Sequence, residues 1–272
     1  MFTTEHLIDP TSEYYIYTPT AEAVEFFLYP LCLGHFRYLP GYHLERSSYN
    51  SLLIMSITGG SCRLRTPDAE LTVSAGHTIL LNCYAPHSYK SEEGWEADWI
   101  HVDGAAALKY YESLSRLAGT AIPLLSHAPA GLSSLTASFS NGTVPSEAAV
   151  SLLIAGMLSE FSSTSASVTG GDIISTVTGY IQSHFAEPLS VDDLAALAHL
   201  SRFYFIRLFR QRTGQTPHEY LIATRLNHAK YLLKNTDLTV KEICFSCGFA
   251  DESRFCTCFK NSTGLRPSDY RS

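Results

Sequence analysis

Arginines suited to binding anions are concentrated in the stretch RFYFIRLFR, residues 202–210. If this stretch is a helix that buries Phe205 and Phe209, its free side carries Arg202, Phe203, Ile206, Arg207 and Arg210. The guanidinium fork of Arg207 can bind a guanine edge, and the other two arginines can reach phosphates. The two apolar side chains can contact thymine methyl groups. This face predicts nucleic-acid recognition, the alternative being an ordinary solvated basic face.

Four cysteines within fifteen residues raise the question of a zinc site: Cys244, Cys247, Cys256 and Cys258. Structural zinc needs four thiolates that converge tetrahedrally. Cys244 and Cys247 share a helical face, but Cys256 and Cys258 stand two apart on a helix and point about 200° apart. We therefore predict small buried core residues here, with no metal and no other cofactor.

The last third of the chain contains a unit of about thirty residues that occurs twice. TGQTPHEYLI, from Thr213, recurs fifty positions later as TGLRPSDYRS, from Thr263. At an offset of forty-nine instead of fifty residues, SVDDLAALA (190–198) aligns with TVKEICFSC (239–247). In this register the cysteines 244 and 247 take the places of two alanines, which favours the core interpretation over zinc.

Each copy has the signals of two short helices, a tight turn between them and an exit into a third helix. In the first copy Ser190 and Asp193 approximate a capping box, and Ser201 can cap the second helix. Gly214 suits the left-handed position after that helix, and Pro217 opens the next. The second copy repeats these signals at Thr239, Ile243, Gly248, Asp251, Phe255, Phe259, Gly264 and Pro267.

Two helices joined in this way form a helix-turn-helix, whose second helix enters the DNA major groove. The free face of the second copy is poorer in donors; it carries Glu252, Ser253, Arg254, Cys256, Thr257 and Lys260. A long helix from Pro217 to about Lys234 is predicted between the copies. Such a helix is about 27 Å long, so it would hold two recognition helices at nearly one DNA turn, about 34 Å.

The front half has the alternation of apolar and polar residues that is typical of strands. From Tyr42 to Val102 short alternating segments are broken by turn residues, which predicts antiparallel strands closed as a small barrel or sandwich. Helical spacing follows over 107–119 and 146–161. The small polar stretch SSTSASVTGG, residues 162–171, is predicted to be a linker between domain 1–161 and domain 172–272. The fold class is therefore α+β, a β-barrel unit with helices followed by an all-α domain.

Charge is unevenly distributed along the 272 residues, whose net charge is −7. Residues 172–272 contain 12 Lys and Arg against 10 Asp and Glu, and residues 1–171 contain 7 against 16. This asymmetry allows an anionic partner for the C-terminal part. No apolar run is long enough for a membrane span, and the start of the chain has no signal-peptide pattern. Because seven cysteines show no secreted framework, we expect a soluble protein of the reducing cytoplasm.

The C-terminal hundred residues resemble the DNA-binding domain of the AraC/XylS family of bacterial transcription regulators. The resemblance rests on Ser201, Phe205 and Phe209, on GQTP, on RL…A…LL from Arg225, on EI and GF, and on GLRPSDYR at the end. It implies double-stranded DNA as a partner and would allow RNA polymerase as another. The family usually has Arg at the position of Thr257, so the second motif is expected to grip phosphates through Arg254 and Lys260 rather than read bases.

Residues 46–104 resemble the cupin-type effector domain of sugar-responsive members of that family. The resemblance implies a carbohydrate pocket at Arg46, Tyr89 and Trp99, with His87 and Trp95 as further candidates. Arginine forks, phenol hydroxyls and indole faces suit a polyol. Since the arabinose-binding member has a pocket histidine where this chain has Ala97, the ligand is expected to be bound differently. The alternative for the aromatic residues is that they are simply part of the hydrophobic core of the barrel.

Two alternatives to a ligand-responsive regulator remain open. His87 lies where metal-binding cupins place a ligand, which suggests a metal-dependent enzyme. A metal site needs further ligands, and the segment HLERSS offers only His43 and Glu45. We therefore expect no enzyme and no catalytic residues. The other alternative is a ligand-independent DNA-binding dimer. The apolar stripe from Val150 to Phe161 is expected to be buried under its own barrel or to form a homodimer interface.

Overall fold

A computed structural model describes residues 5–166 and 171–271 of the chain. The chain divides into two compact units, residues 1–167 and 168–272. Among the described residues, no helix is long and apolar enough to cross a membrane.

Strands form the framework of the N-terminal unit, and every pairing between them is antiparallel. The strands are β1 (Glu13–Ile16), β2 (Leu28–Tyr38), β3 (His43–Arg46), β4 (Leu52–Arg65), β5 (Glu70–Ser74), β6 (Thr78–Asn82), β7 (His87–Lys90), β8 (Trp95–Gly104) and β9 (Leu124–Leu125). One sheet path runs β1-β2-β8-β4-β6-β9, while β5 pairs with β4, and β7 lies between β3 and β4. The predicted antiparallel architecture is confirmed.

Strand β4 turns the sheet back on itself. Its first half pairs with β6 and β8, and its second half, from Ser61, pairs with β5 and β7. The pairing with β8 shifts register between Ile57 and Gly59. Gly60 follows with φ +70°, and a Cβ there would lie 2.7 Å from the carbonyl oxygen of Gly94. Only glycine fits this bend, which explains the Gly-Gly pair in the middle of the strand.

Helices cover the outside of the β2-β8-β4 sheet: α1 (Ala21–Phe26), α2 (Ala107–Ala118), α3 (Ala130–Ser140) and α4 (Glu147–Ala166). Leu33, Ile54 and Ile100 point to this side and share a core with α4. The interior of the barrel has a second core, rich in aromatic residues. The middle of the sheet is thus buried on both faces, which is why β2 and β8 are more continuously apolar than a half-exposed strand.

The apolar stripe of α4 is core rather than a free interface. Val150, Ile154, Met157, Leu158 and Phe161 are each at most 2% exposed, packed within their own unit. The idea that this stripe pairs with a second subunit is therefore wrong, because the outer face of the sheet already covers it. Helix α4 also continues to Ala166, five residues past the predicted end, since extending an anchored helix is easier than starting one. Of the predicted linker, residues 167–170 lie outside the described residues.

The C-terminal unit is entirely helical in its described part: α5 (Gly171–His184), α6 (Val191–Leu197), α7 (Arg202–Thr213), α8 (Pro217–Asn235), α9 (Val240–Ser246), α10 (Glu252–Thr263) and α11 (Pro267–Arg271). The helix pair α6 and α7 recurs as α9 and α10, at the predicted offsets. The predicted capping box of Ser190 is present, and so is the left-handed residue Gly214. Ser201 occupies the predicted cap position without a side-chain bond.

Each helix-turn-helix has a core of its own, and α8 contributes to both. Phe205 and Phe209 pack with Leu221 in the first core, whereas Leu226 and Leu233 belong to the second. The predicted connector helix is confirmed. Its 19 residues correspond to about 28 Å.

Arg225 ties the two cores together from the middle of α8. Its side chain is buried, with Nε and Nη2 donating to the carbonyl oxygens of Phe185 and Glu187, both at 2.7 Å. The guanidinium also lies 5.8 Å from the ring centre of Phe249, in the second core. At Gly248, φ +77°, a Cβ would approach the Ala186 carbonyl oxygen to 2.6 Å. Residues 185–187 are therefore clamped between α8 and the turn of the second motif.

Replacing Arg225 should destabilise this unit. Arg225→Ala removes the donors to two part-buried carbonyl groups and a buried side chain, so we expect a loss of about 1–3 kcal/mol in free energy of unfolding, measured by urea denaturation. Lys241→Ala, on the exposed side of α9, is the control and should change stability by less than about 0.5 kcal/mol. An equal effect of both substitutions would contradict the role given to Arg225.

Candidate nucleic-acid interface and ligand cavity

Helix α7 presents the predicted recognition face to solvent. Burial of Phe205 and Phe209 leaves Phe203 86% exposed, and Arg207 and Arg210 are exposed beside it. Ile206 is partly buried. This exposed ring is free to contact an apolar group of a partner, such as a thymine methyl group.

Tyr204 also belongs to this face, although it was not among the residues predicted from the sequence. It is 44% exposed, and the Arg207 guanidinium lies 5.5 Å from its ring centre. The contact restricts the arginine and so reduces the entropy lost when the fork binds a base. An aromatic residue three positions before an arginine on the free side of a helix is a signal that the sequence did contain.

Arg202 is held by its own unit instead of being free. Its Nη1 donates to Oδ2 of Asp192, on α6, at 2.7 Å. Both side chains are more than half exposed, so the pair contributes little to stability. Arg202 can therefore exchange Asp192 for a phosphate at small cost.

The face of α10 is weaker in base-reading groups, as predicted. Thr257 donates its hydroxyl to the Ser253 carbonyl oxygen at 2.9 Å, which directs its donor into the helix. Glu252 contributes a negative charge to a face whose cations are Arg254 and Lys260. Ser253 is exposed and Cys256 is half-buried.

Arg266, which the sequence analysis did not include, lines a groove beside this face. Lys260 and Cys256 line the same groove. Two cations at one groove suit a phosphate backbone more than a base edge. The second motif can therefore contribute affinity while the first contributes selectivity.

The interior of the barrel contains a cavity that brings Arg46, Tyr89 and Trp99 together. It holds about 440 Å³ of space not occupied by atoms, part of it open to solvent. The other lining residues are mostly aromatic or apolar: Glu5, Phe36, Tyr38, Tyr42, Leu44, Tyr49, Leu53, Met55 and His101. A concave space lined mainly by apolar and aromatic side chains with a few polar groups is the usual form of a small-molecule site.

Hydrogen-bond donors dominate the polar side of the cavity. Trp99 Nε1 is buried with no hydrogen-bond partner among the described residues, and the Arg46 guanidinium lies 4.7 Å from the ring centre of Tyr49. Burial raises the pKa of Tyr89 well above its usual value, so this phenol stays protonated. The cavity therefore suits a ligand rich in oxygen acceptors.

His101 is a further cavity residue that sequence reasoning missed. Its Nδ1 lies 2.8 Å from Ser51 Oγ, and burial, with a smaller contribution from Arg46, lowers its pKa to about 3. It is neutral at physiological pH. The alternation of β8 does place positions 99 and 101 on one face, but Ile100 and Val102 on the other face are also buried, so no apolar–polar alternation marks the cavity side.

Trp95 and His87 do not line the cavity. Trp95 is 2% exposed and stacks on Tyr38 at 4.0 Å between ring centres, so it is a core residue in this arrangement. His87 is buried at the start of β7, with Nδ1 2.9 Å from the Ala85 carbonyl oxygen. It lines a groove on the outer side of the barrel instead.

The candidate metal ligands of the barrel do not converge. His43 and Glu45 are exposed on one face of β3, whereas His87 is buried opposite Arg46, whose position is on the other face. In the described part of the chain no three His, Cys, Asp or Glu side chains are grouped closely enough for a metal ion.

The cysteines of the C-terminal unit belong to its second core. Cys244 and Cys247 are fully buried there, and Cys256 and Cys258 pack against it with partial exposure. Burial raises the pKa of Cys247 to about 11. Cys244 and Cys247 are therefore poor nucleophiles and poor metal ligands.

Comparison with known proteins finds two family matches along the chain. Residues 30–162 match the family described as the AraC-like ligand binding domain, and residues 194–272 match a helix-turn-helix domain family. The MmsAB operon regulatory protein of Pseudomonas aeruginosa is 25% identical over 264 residues, which cover 90% of this chain and 82% of that protein.

Other relatives match about a third of the chain. The uncharacterized HTH-type transcriptional regulator YijO of Escherichia coli is 41% identical over 100 residues, and the match covers 36% of this chain and 35% of that protein, about a third of its length. Among solved structures, the DNA-binding domain of AdpA in complex with a target DNA is 35% identical over 36% of this chain and 88% of that one, with a TM-score of 0.36.

Thiol reactivity tests the assignment of the cysteines to the cores. Burial also raises the pKa of Cys62 and Cys83 to about 12. At pH 8 we expect at most Cys256 and Cys258 of the folded protein to react quickly with a disulfide reagent such as DTNB. All seven should react in urea. Fast reaction of the other five in the folded state would contradict this packing.

Proposed function

Because this chain belongs to the AraC family of transcription regulators, we propose that its barrel cavity binds a small effector, a sugar or sugar derivative, that controls binding of α7 and α10 to a specific DNA sequence. The observation that supports this most is the meeting of Arg46, Tyr89 and Trp99 in one cavity, within the unit that matches a ligand-binding domain family. The effector would act by binding one functional state of the protein better than another.

The chemistry of the cavity supports a polyol. Aromatic faces can stack on the C–H groups of a sugar ring, and Arg46, Trp99 Nε1 and the phenols can donate to its oxygens. A buried indole N–H without a partner costs free energy, and a ligand oxygen would recover it. Neutral His101 can take part as a donor or an acceptor through Nε2.

DNA recognition is divided between the two motifs in this proposal. Arg207 reads a guanine, Phe203 contacts a thymine methyl group, and Arg202 and Arg210 bind phosphates. Arg254, Lys260 and Arg266 bind the backbone next to the second motif. We propose no catalytic role for the barrel, since the histidines and the glutamate that a cupin enzyme would need lie on different faces.

Arg207→Ala should weaken specific DNA binding by about 1–3 kcal/mol and relax one base position, because a bidentate guanine contact is lost. Affinities for an operator and its single-base variants, measured at one salt concentration, would show this. Lys109→Ala removes the same charge from the N-terminal unit and should leave base preference unchanged. Unaltered base preference in the Arg207 variant would refute the assignment.

A thermal-shift screen of the whole protein against a panel of sugars tests the effector site. A sugar present at one hundred times its Kd should add about 2.7 kcal/mol of stability, which raises Tm by several degrees. Arg46→Ala and Trp99→Leu should each abolish the shift, whereas Arg37→Ala, an exposed arginine of the same unit, should keep it. If no sugar raises Tm, the ligand class is wrong; a shift that survives both substitutions would place the site elsewhere.

We also propose that the protein is a homodimer, through the outer surface of α2 and α4. Leu152 is 75% exposed on α4, and Leu108 and Tyr110 are about 40% exposed on α2, which packs against α4. Leu152→Glu should shift the sedimentation coefficient towards the monomer without unfolding the protein. Ile16→Glu, at another exposed apolar residue of this unit, is the control. A dimer that persists in the Leu152 variant would place the interface elsewhere.

A further inference from the structure

A second candidate site lies on the outer side of the barrel, across β3, β7 and β4. We call it the outer groove. It contains about 1050 Å³ of space, including the part open to solvent, and its lining is polar. Its lining residues are His43, Glu45, Arg46, Arg63, Arg65, Thr66, Pro67, Glu70, Pro86, His87, Ser88 and Lys90.

Cations are concentrated here against the charge of the unit as a whole. Residues 1–171 contain 7 Lys and Arg against 16 Asp and Glu. Four of those seven line the outer groove: Arg46, Arg63, Arg65 and Lys90. A small anion would therefore be drawn to this face of an otherwise acidic domain.

The strand register places like charges side by side. Lys90 of β7 pairs directly with Arg63 of β4, so two cations stand opposite each other; on its other side Lys90 pairs with His43 of β3. Arg63 has a long contact to Glu70, 3.8 Å between Nε and Oε1, but no ion pair within 4 Å joins Lys90 or Arg65 to any described residue. Since like charges opposite each other destabilise a sheet, this row gains from an anion that none of the described side chains provides.

A buried polar atom without a partner lies at the same groove. His87 is 3% exposed, and its Nδ1 must carry the proton because the Ala85 carbonyl oxygen can only accept. Its Nε2 is left as a buried acceptor with no partner among the described residues. By strand alternation His87 lies on the opposite face of β7 from Lys90, so this atom is not counted toward anion binding at Lys90 and Arg63.

We propose that the outer groove binds a compact phosphate-bearing small molecule, whose phosphate lies at Lys90 and Arg63. Three strands span only about 10 Å, far less than a DNA duplex needs to make several phosphate contacts. Acidic residues also flank the cations, with Glu45 and Glu70 in the groove and Glu92 and Glu93 in the neighbouring one beyond Lys90. These carboxylates would repel an extended polyanion and leave room for a small one.

Calorimetric titration of the whole protein with inorganic pyrophosphate, at constant ionic strength, tests the proposal. We expect saturable binding that Arg63→Ala combined with Lys90→Ala weakens at least tenfold. These two residues do not line the barrel cavity, so the effector site is left intact. The matched control is Lys109→Ala with Arg116→Ala, which removes the same charge from exposed positions of α2 and should change affinity less than twofold.

Three outcomes would overturn the proposal. One is the absence of saturable binding to the unaltered protein, and another is an equal loss in the control pair, which would reduce the effect to net charge. The third is weaker operator binding by the groove variant without any binding of pyrophosphate, which would assign the groove to DNA. Both groove residues are exposed, and an unchanged urea midpoint would show that the variant is folded.

Discussion

The DNA-binding unit depends on one constraint, which is that two separately packed cores must keep a fixed spacing. The length of helix α8 sets the distance between the two cores, and Arg225 fixes their relative arrangement. Its guanidinium satisfies two carbonyl groups of residues 185–187 and lies against Phe249. A charged group so deeply buried is stable only with its partners in place, so the segment 185–187, α8 and the second motif must assemble together. Without these contacts, two short helix-turn-helix units on one helix would have no defined angle between them.

Within this rigid unit the two recognition helices differ in chemistry. On α7 an exposed phenylalanine, a tyrosine and three arginines offer both apolar and forked donor contacts. On α10 a glutamate and a threonine bonded to its own backbone leave mainly phosphate-binding cations. The two copies of the motif thus share a fold but differ in the exposed residues of their recognition helices. The shared cores require the same buried residues, whereas nothing in the packing requires the same exposed ones.

The barrel depends in a similar way on the bend of β4. Because the two halves of this strand pair with different neighbours, the sheet has an inside and an outside with separate cores. The inside has an aromatic cavity in which Trp99 Nε1 has no partner among the described residues, and the outside is covered by α4 and its neighbours. The same curvature brings β3, β7 and β4 together as an outward face, where the basic side chains collect.

The repeat and the capping boxes, left-handed glycines and Pro217 that bound its helices were determined by the sequence, since these signals act within a few residues. Helix α5, which precedes the repeat, was not predicted. Local patterns also indicated strands between Tyr42 and Val102, but β1 and β2, which precede that range, were not predicted. Only the tertiary structure decided whether a buried residue packs in a core or lines the cavity. Trp95 and Trp99 look alike in sequence, yet one stacks in the core and the other lines the cavity. The stripe of α4 predicted burial but could not say against what, and the ties made by Arg225 join residues about forty positions apart. Contacts of that range depend on how the chain closes on itself, which no local pattern records.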